Sequence, residues 1–243
     1  MKIFDGTKMV PSDGFALPIS PLTKKLYNYQ LATIEQIHEF RRVILGLAPG
    51  MGKTAVLQAV AANEAAIGRK TLIIVPPSLR IDPWGKEFAK DFPDLDVVLA
   101  SGTKQHDLPD ADVVIMADSL VAARIDDIIA WGPANMMCDE AHRMKSPDSK
   151  RTKAMHKLAA SMDSGAIIVM ATGTLSVNNA GDVYNPLYIT SPDHATSLSG
   201  TDTWTQFLDV WCDTEIAWKK RVVVGCKNVS LLRERLIKIC MIN

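Results

Sequence analysis

The segment Val43–Thr54 reads VILGLAPGMGKT and leads from a short apolar run into Ala55–Ile67, a stretch of strong helix formers. A strand, a glycine-containing loop, Lys-Thr and a helix, in this order, form the context of a phosphate-binding loop. Gly50 and Gly52 let the backbone approach an anion, which the N-terminus of the new helix also attracts. The lysine would then reach the β- and γ-phosphates, and the threonine hydroxyl would ligate Mg²⁺. The pattern therefore predicts a nucleotide-binding loop rather than a plain glycine turn.

An acidic pair, Asp139-Glu140, follows the apolar run Asn135–Cys138. Carboxylates at the end of a buried strand are costly unless a cation or partner is near, and the Mg²⁺ of a nucleotide supplies that cation. In this interpretation Asp139 holds the metal, largely through its water shell, while Glu140 orients and deprotonates the attacking water. A lone Asp-Glu pair often begins a helix, but the Gly-Lys-Thr loop upstream favours hydrolysis of the nucleotide.

Composition indicates one large α/β domain that is not secreted. The chain has 243 residues, of which 47% are hydrophobic, and equal numbers of basic and acidic residues, 27 each. A neutral chain is not a strongly basic nucleic-acid binder, so any DNA contact must rest on a local patch. The four cysteines are far apart, which favours reduced thiols over zinc. No signal peptide or membrane-spanning run is present. We therefore expect no membrane partner and a cytoplasmic location, in a prokaryotic or phage-infected cell, or an otherwise intracellular one.

Apolar runs alternate with helical patterns along most of the chain, which predicts a parallel β-sheet of about seven strands with helices on both faces. We expect an irregular arm over residues 1–21 and a single domain over 22–243. Past the last strand the pattern is less regular and predicts only helical pieces joined by loops. The predicted strands are 43–45, 71–75, 96–100, 112–116, 135–138 and 166–170, and the late helices are 182–189, 203–212 and 230–240.

Tyr29-Gln30 lies upstream of the phosphate-binding loop, within a helical pattern that begins at Leu22. A glutamine amide can present one donor and one acceptor to the edge of adenine. The alternative is a surface glutamine beside a core tyrosine, and the residues alone leave both open.

Residues 143–160 form the most basic stretch of the chain, with Asp148 as their only acidic residue. Ser149 or Asp148 could cap a helix that runs to Ala160. The cations along its early turns would suit contacts to a phosphate backbone. A solvated helix face explains the same pattern equally well.

Taken in order, these motifs resemble the first RecA-like domain of superfamily 2 helicases, and more narrowly of Snf2-like DNA translocases. The narrower resemblance rests on the strand end Ile74–Leu79 with Trp84, on the acidic motif with its basic extension to Lys150, and on Thr172-Gly173-Thr174 with Asn178 after it. The tail, from Phe207 to Leu236, is also similar. The resemblance spans roughly residues 22–240.

The resemblance implies a P-loop NTPase domain that binds ATP and Mg²⁺ and is stimulated by double-stranded DNA. It implies that Lys53, Asp139 and Glu140 are catalytic and that Thr54 and Asp139 hold the metal. The implied nucleotide site comprises Tyr29, Gln30, Pro49, Gly50, Met51, Gly52, Lys53, Thr54 and Ala55. His142, Thr172, Gly173 and Thr174 would couple hydrolysis to DNA, and Ser78, Arg80, Asp118, Ser119, Lys145, Lys150 and Arg151 would contact nucleic acid.

The sequence also departs from the family pattern. Leu47 stands where the strict Walker A motif has its first glycine, and Leu175 follows Thr174 where the family has proline. The second RecA-like domain, which in the family supplies an arginine finger, is absent from these residues, so we expect weak hydrolysis by this domain alone. A nucleotide-gated binding module without turnover and an RNA helicase of the Asp-Glu-Ala-His type are the alternatives.

Overall fold

A computed structural model describes residues 26–173, 180–217, 220–239 and 241–242. The predicted arm over 1–21, the start of the first helical pattern at Leu22, and Thr174 with Leu175 and Asn178 lie outside these ranges. The strands are β1 (Arg42–Leu45), β2 (Thr71–Val75), β3 (Val97–Ala100), β4 (Val113–Ala117), β5 (Asn135–Cys138), β6 (Ile168–Ala171), β7 (Cys212–Ala217), β8 (Lys220–Cys226) and β9 (Met241–Ile242).

Seven of these strands form one parallel sheet, in the order β3-β4-β2-β5-β6-β1-β9. Six strands have four or five residues, whereas β9 contributes only two residues at the edge beside β1. The predicted α/β class with about seven parallel strands is confirmed. Because parallel strands share one direction, the loops after β1, β2, β4, β5 and β6 all leave the sheet at the carboxyl ends of the strands. We call this side of the sheet the edge that carries the site, and the side at the amino ends of the strands the opposite edge.

Helices or helical turns connect most of the parallel strands, which need a long crossover, whereas residues 101–112 between β3 and β4 contain no helix. Short helical turns lie at Pro77–Leu79, Arg80–Gly85 and Ala141–Met144. Residues 83–91 are divided between the second of these turns and a short helix. The helices are α1 (Asn28–Phe40), α2 (Lys53–Ala65), α3 (Lys86–Asp91), α4 (Ile125–Trp131), α5 (Lys150–Ala160), α6 (Gly181–Thr190), α7 (Pro192–Ser199), α8 (Trp204–Trp211) and α9 (Val229–Ile239).

Alternate residues of the strands enter two separate cores, one on each face of the sheet. On one face Ile73 and Val75 pack with apolar residues of α1 and α2 and with Trp84. On the other face, Leu72 and Ile74 pack with α4 and α5. Both faces of the central strands are therefore covered, which explains why these strands are apolar throughout rather than alternating.

The segment after β6 is more ordered than the sequence predicted. Helices α6, α8 and α9 match the three expected helical pieces within one or two residues, but α7 and an antiparallel hairpin of β7 and β8 were missed. These helices enclose a third core around Ile44 of β1. The hairpin carries exposed apolar side chains, among them Ile216 and Val224.

Glu64 lies near the end of α2, at the amino ends of the strands, and its side chain joins several segments there. The residue is only 1% exposed. Arg69 donates from Nε to this carboxylate at 2.7 Å, and Arg41 lies 3.4 Å away. His38 Nδ1 is also 3.4 Å from it. Arg69 further donates to the backbone oxygen of Gly165 at 3.0 Å, so one charged network joins the segments that precede β1, β2 and β6. Among the described helices, none combines the length and apolar character that a membrane span requires.

Candidate nucleotide-binding site

The loop between β1 and α2 has the backbone shape that its glycines predicted. Gly50 and Gly52 have φ angles of 80° and 72°, in the left-handed region that side chains rarely adopt. Gly52 caps α2, which begins at Lys53 without a side-chain cap, so the first backbone N–H groups of the helix have no capping side chain. Met51 is exposed, Thr54 is half-buried, and Ala55 is buried at the base of the helix.

Lys53 is held between the loop and the end of β6. Its Nζ donates to the backbone oxygen of Leu47 at 3.1 Å. A Cβ at Gly173 would lie 3.1 Å from the same Nζ and 3.2 Å from Pro49 Cγ. Gly173 therefore leaves the space that the lysine occupies, and the ammonium group sits where the ends of two strands converge.

Tyr29 and Gln30 both contact the loop through the backbone oxygen of Met51, at 3.0 and 3.3 Å. Gln30 also accepts from the backbone N–H of Tyr27 at 3.0 Å. A Cβ at Gly52 would lie only 2.3 Å from Gln30 Nε2, so the glutamine packs directly on the glycine. The alternative of a surface glutamine beside a core tyrosine is wrong, because Gln30 is 5% exposed and Tyr29 is 38% exposed.

Asp139 lies at the end of β5, almost fully buried, with both carboxylate oxygens hydrogen-bonded. Trp84 donates its indole N–H to Oδ2 at 3.1 Å, and the backbone N–H of Glu140 donates to Oδ1 at 3.0 Å. Burial raises the pKa of the Asp139 carboxyl, and the hydrogen bond from Trp84 and the charge of Lys53 act in the opposite direction. From the sequence, Trp84 supported only the family resemblance and was assigned no role at the site, although a buried indole N–H generally requires an acceptor.

Glu140, His142 and Thr172 form a chain of polar groups beside this carboxylate. His142 Nδ1 lies 3.1 Å from Glu140 Oε2 and 3.3 Å from the Thr172 hydroxyl. Glu140 itself has a φ angle of 53°, in the left-handed region, which is uncommon for a residue with a side chain. The structure thus links the acidic pair after β5 to the end of β6 through the histidine.

The residues that were expected to contact nucleic acid lie at the same edge of the sheet, but they differ in their exposure to solvent. Ser78 and Ser119 are exposed after β2 and β4, and Lys145 and Lys150 are exposed near α5. Arg80 is half-buried and donates to the backbone oxygens of Leu99 and Ala100 at 3.4 and 3.2 Å. Of the two predicted caps of α5, Ser149 and Asp148, it is Ser149 that accepts from the backbone N–H of Thr152.

Asp118 requires a correction, because its carboxylate is buried and cannot contact a DNA backbone. It is 1% exposed, and its Oδ2 accepts hydrogen bonds from Arg143 and from Arg151, the latter at 2.9 Å. Its Oδ1 has no partner among the described residues. The basic stretch is thus partly neutralised from within, since Arg143 and Arg151 anchor the turn after the acidic pair and the start of α5.

These residues fit a magnesium nucleotide. Gly50 and Gly52 expose backbone N–H groups, Lys53 is the adjacent cation, and the absence of a Cβ at Gly173 leaves room beside it. Asp139 offers the buried carboxylate oxygens that suit a hard cation held through its waters. The described residues therefore bring the predicted phosphate and metal ligands to one edge of the sheet.

A model of the SNF2-related domain family matches residues 28–241. The chain belongs to this family. Membership agrees with the resemblance read from the sequence and does not favour an RNA helicase of the Asp-Glu-Ala-His type. The SNF2-related domain described here has the P-loop fold of an Snf2-family ATPase core.

Curated relatives match this SNF2-related domain over a small part of their own length. It is 25% identical over 226 residues to Protein CHROMATIN REMODELING 4 of Arabidopsis thaliana, covering 82% of this chain and 10% of that protein. It is 26% identical over 197 residues to the CHD3-type chromatin-remodeling factor CHR7 of the same plant, covering 73% and 16%.

Solved structures share the fold at lower identity. The Sulfolobus solfataricus SWI2/SNF2 ATPase core in complex with dsDNA superposes with a TM-score of 0.66 at 21% identity, covering 80% of this chain and 41% of that one. The SWI2/SNF2 ATPase core domain of the same organism gives a TM-score of 0.65 at 21% identity, covering 82% and 41%. The SNF2-related domain therefore spans about two fifths of these solved cores.

Proposed function

We propose that this domain is the ATP-binding and ATP-hydrolysing half of an Snf2-like, DNA-dependent ATPase that moves on double-stranded DNA. The observation that carries the proposal is the convergence of Lys53, Asp139 and Glu140 on one sheet edge, with Gly173 packed against the lysine. A cation for phosphates, a buried carboxylate for a metal and a second carboxylate beside it are the groups that nucleotide hydrolysis needs.

The residues of the site divide the work as follows. The N–H groups of the Gly50–Gly52 loop and the Lys53 ammonium bind the phosphates, while Thr54 and Asp139 hold Mg²⁺, which neutralises charge on the phosphate oxygens. Glu140 accepts a proton from the attacking water. His142, between Glu140 and the Thr172 hydroxyl, transmits the state of the acidic pair to the end of β6. Gln30 and Tyr29 bind the base beside the loop that they already contact.

The proposed DNA surface is the exposed part of the same edge, formed by Ser78, Ser119, Lys145 and Lys150. Hydroxyl and ammonium donors of this kind bind phosphate backbones without reading sequence. The structural neighbour solved with dsDNA supports duplex DNA as the ligand. A function on DNA also implies that the protein works inside a cell.

We further propose that full activity requires a second RecA-like domain. The domain covers 41% of the solved cores it resembles, which leaves the larger part of those chains unmatched. An arginine finger from a partner domain raises hydrolysis by roughly 10³-fold or more. We therefore expect the 243-residue chain to bind ATP well and to hydrolyse it slowly by itself.

The deciding experiment measures ATP affinity by calorimetry and ATP turnover with and without duplex DNA, before and after addition of a second RecA-like domain from an Snf2 protein. We expect tight Mg²⁺-dependent binding, slow turnover alone, and turnover stimulated by duplex DNA in the reconstituted pair. Bound ATP that no nucleic acid causes to be hydrolysed, even in the pair, would show a nucleotide-gated binding module instead. Stimulation by RNA but not by DNA would contradict the proposed ligand.

A further inference from the structure

Trp84 is a fully buried side chain whose only polar atom points at the proposed metal carboxylate. Its indole N–H donates to Asp139 Oδ2 at 3.1 Å, and the two residues are 55 positions apart in the chain. The other oxygen, Oδ1, accepts from the backbone N–H of Glu140 at 3.0 Å. Each oxygen of the carboxylate is thus held by a donor in a different segment, which fixes the rotation of the group about its Cβ–Cγ bond.

The segment that carries Trp84 is firmly packed. The rings of Trp84, Phe88 and Phe92 pack in a row in tilted orientations, with successive centroids 6.2 and 5.8 Å apart. A Cβ at Gly85 would lie 2.9 Å from the Leu99 side chain, so this glycine allows the segment to lie close against β3. Because the indole cannot shift easily in such a setting, its N–H is a fixed reference point for the carboxylate.

We propose that Trp84 is a positioning residue for the metal site: its N–H holds Asp139 in the orientation that presents the remaining oxygen lone pairs to the water shell of Mg²⁺. The inference rests on the proposed function and adds to it a residue outside the phosphate-binding and acidic motifs. Hydrogen bonds of this kind to metal-binding carboxylates tune the affinity of metal sites, and their loss costs roughly 10–100-fold.

The test replaces the indole with a smaller aromatic ring that has no N–H. Trp84→Phe removes one N–H, and Trp131→Phe is the matched control, because Trp131 is also buried and donates one indole hydrogen bond, to Pro109 O at 2.9 Å, away from the site. Calorimetric ATP binding is measured across a Mg²⁺ series and in EDTA. We expect Trp84→Phe to raise the Mg²⁺ concentration for half-maximal binding roughly tenfold or more and to leave binding in EDTA unchanged. The control should match the wild type in both.

A second measurement follows the Trp84–Asp139 hydrogen bond by NMR, without nucleotide and in variants that keep the Trp84 side chain in the core. In the ¹⁵N-labelled full chain the five tryptophans give five indole N–H signals, and the one lost in Trp84→Phe belongs to Trp84. We expect Asp139→Asn to move this signal upfield, because a charged acceptor is replaced by a neutral one. Glu140→Gln, which removes a neighbouring charge but not the acceptor, should move it less.

The two possible failures differ. A wild-type chain that binds Mg²⁺-ATP, with Trp84→Phe giving the same Mg²⁺ dependence as the control, would overturn the positioning role and leave the proposed function intact. If Trp84→Phe failed to fold, Phe substitutions at the other four tryptophans would assign the Trp84 signal by elimination, and a signal that does not move in Asp139→Asn would overturn the positioning role. A wild-type chain that binds no nucleotide would overturn the proposed function, and the positioning role with it.

Discussion

Substitution of Lys53 should change ATP binding without changing the stability of the fold. Its ammonium contacts the backbone oxygen of Leu47 and fills no core volume. We expect Lys53→Ala to weaken ATP binding by roughly two orders of magnitude, because charge-assisted contacts to the phosphates are lost, while the melting temperature stays unchanged. Calorimetry and thermal denaturation measure both effects, with Lys150→Ala as an exposed-lysine control. Retained affinity in Lys53→Ala would contradict the assignment of the loop.

Glu140 is predicted to act on the attacking water and not on the binding of the nucleotide. Glu140→Gln should therefore bind Mg²⁺-ATP like the wild type and hydrolyse it at no measurable rate, since an amide accepts no proton at neutral pH. Single-turnover hydrolysis in the reconstituted pair, beside a binding titration, measures the two quantities separately. Unaltered turnover would remove Glu140 from the role of base.

At the scale of elements, Asp118 fixes the turn after the acidic pair and the start of α5 to the end of β4. Asp118→Asn keeps the volume but removes the charge that both arginines share. We expect a loss of about 1–3 kcal/mol in the free energy of unfolding, because the arginines are partly exposed and regain water. Urea denaturation measures it.

Asp148→Asn is the matched control for this change. Its carboxylate is 95% exposed and lies 3.8 Å from Lys153, so its loss should alter stability by less than about 0.5 kcal/mol. Equal effects of the two substitutions would show that the buried carboxylate anchors nothing.

The elements that could be predicted from the sequence were those with a single strong periodic signal. The strand 71–75 and a helix over Ala55–Ile67 were expected because an apolar run and a glycine loop leave few alternatives. The hairpin of β7 and β8 was missed, although Arg221–Val224 contains a β-branched run that favours a strand. Helix α7 was missed despite Ser191-Pro192, which often begins a helix.

The site was predictable where one segment carries its own chemistry and unpredictable where the chemistry depends on partners far along the chain. The loop at Gly50–Thr54 belongs to the first kind. The burial of Asp118 belongs to the second, because its arginines lie 25 and 33 residues away, and so does the contact of Trp84 with Asp139. Pairings of this kind are set by the topology of the sheet and have no local sequence signal.

At the scale of the whole molecule, Glu64, at the amino ends of the strands and opposite the site, contributes to stability in a pH-dependent way. Burial alone raises the pKa of Glu64, but hydrogen bonds from His38 and Arg69 and the charges of Arg41 and Arg69 outweigh it and lower the pKa to about 2 from an ordinary 4.5. Because the folded pKa lies below the unfolded one, the stabilisation is complete above pH 4.5 and is lost as the pH falls toward 2. It is on the order of 3 kcal/mol.

Glu64→Gln tests this. We expect the variant to be less stable than the wild type at pH 7 and the difference to shrink between about pH 4.5 and pH 2, as the wild-type carboxylate becomes protonated. Urea denaturation across this range measures the difference, and calorimetry at pH 7 should show unchanged ATP affinity because the network lies at the far edge of the sheet. A pH-independent difference would assign the stability of this edge to packing alone.

The contact between Gly173 and Lys53 has a mechanical consequence. A Cβ at Gly173 would lie 3.1 Å from Lys53 Nζ and 3.2 Å from Pro49 Cγ, so an added methyl group would crowd both the lysine and the phosphate-binding loop. Groups that pack this closely pass a displacement on to one another, because there is no free volume to absorb it. If bound phosphates drew the lysine away from Leu47, the space that its ammonium group occupies beside Gly173 would empty. We therefore expect nucleotide binding to change the packing beside Gly173, and we expect the volume of the lysine side chain, rather than its charge, to carry that change to the end of β6.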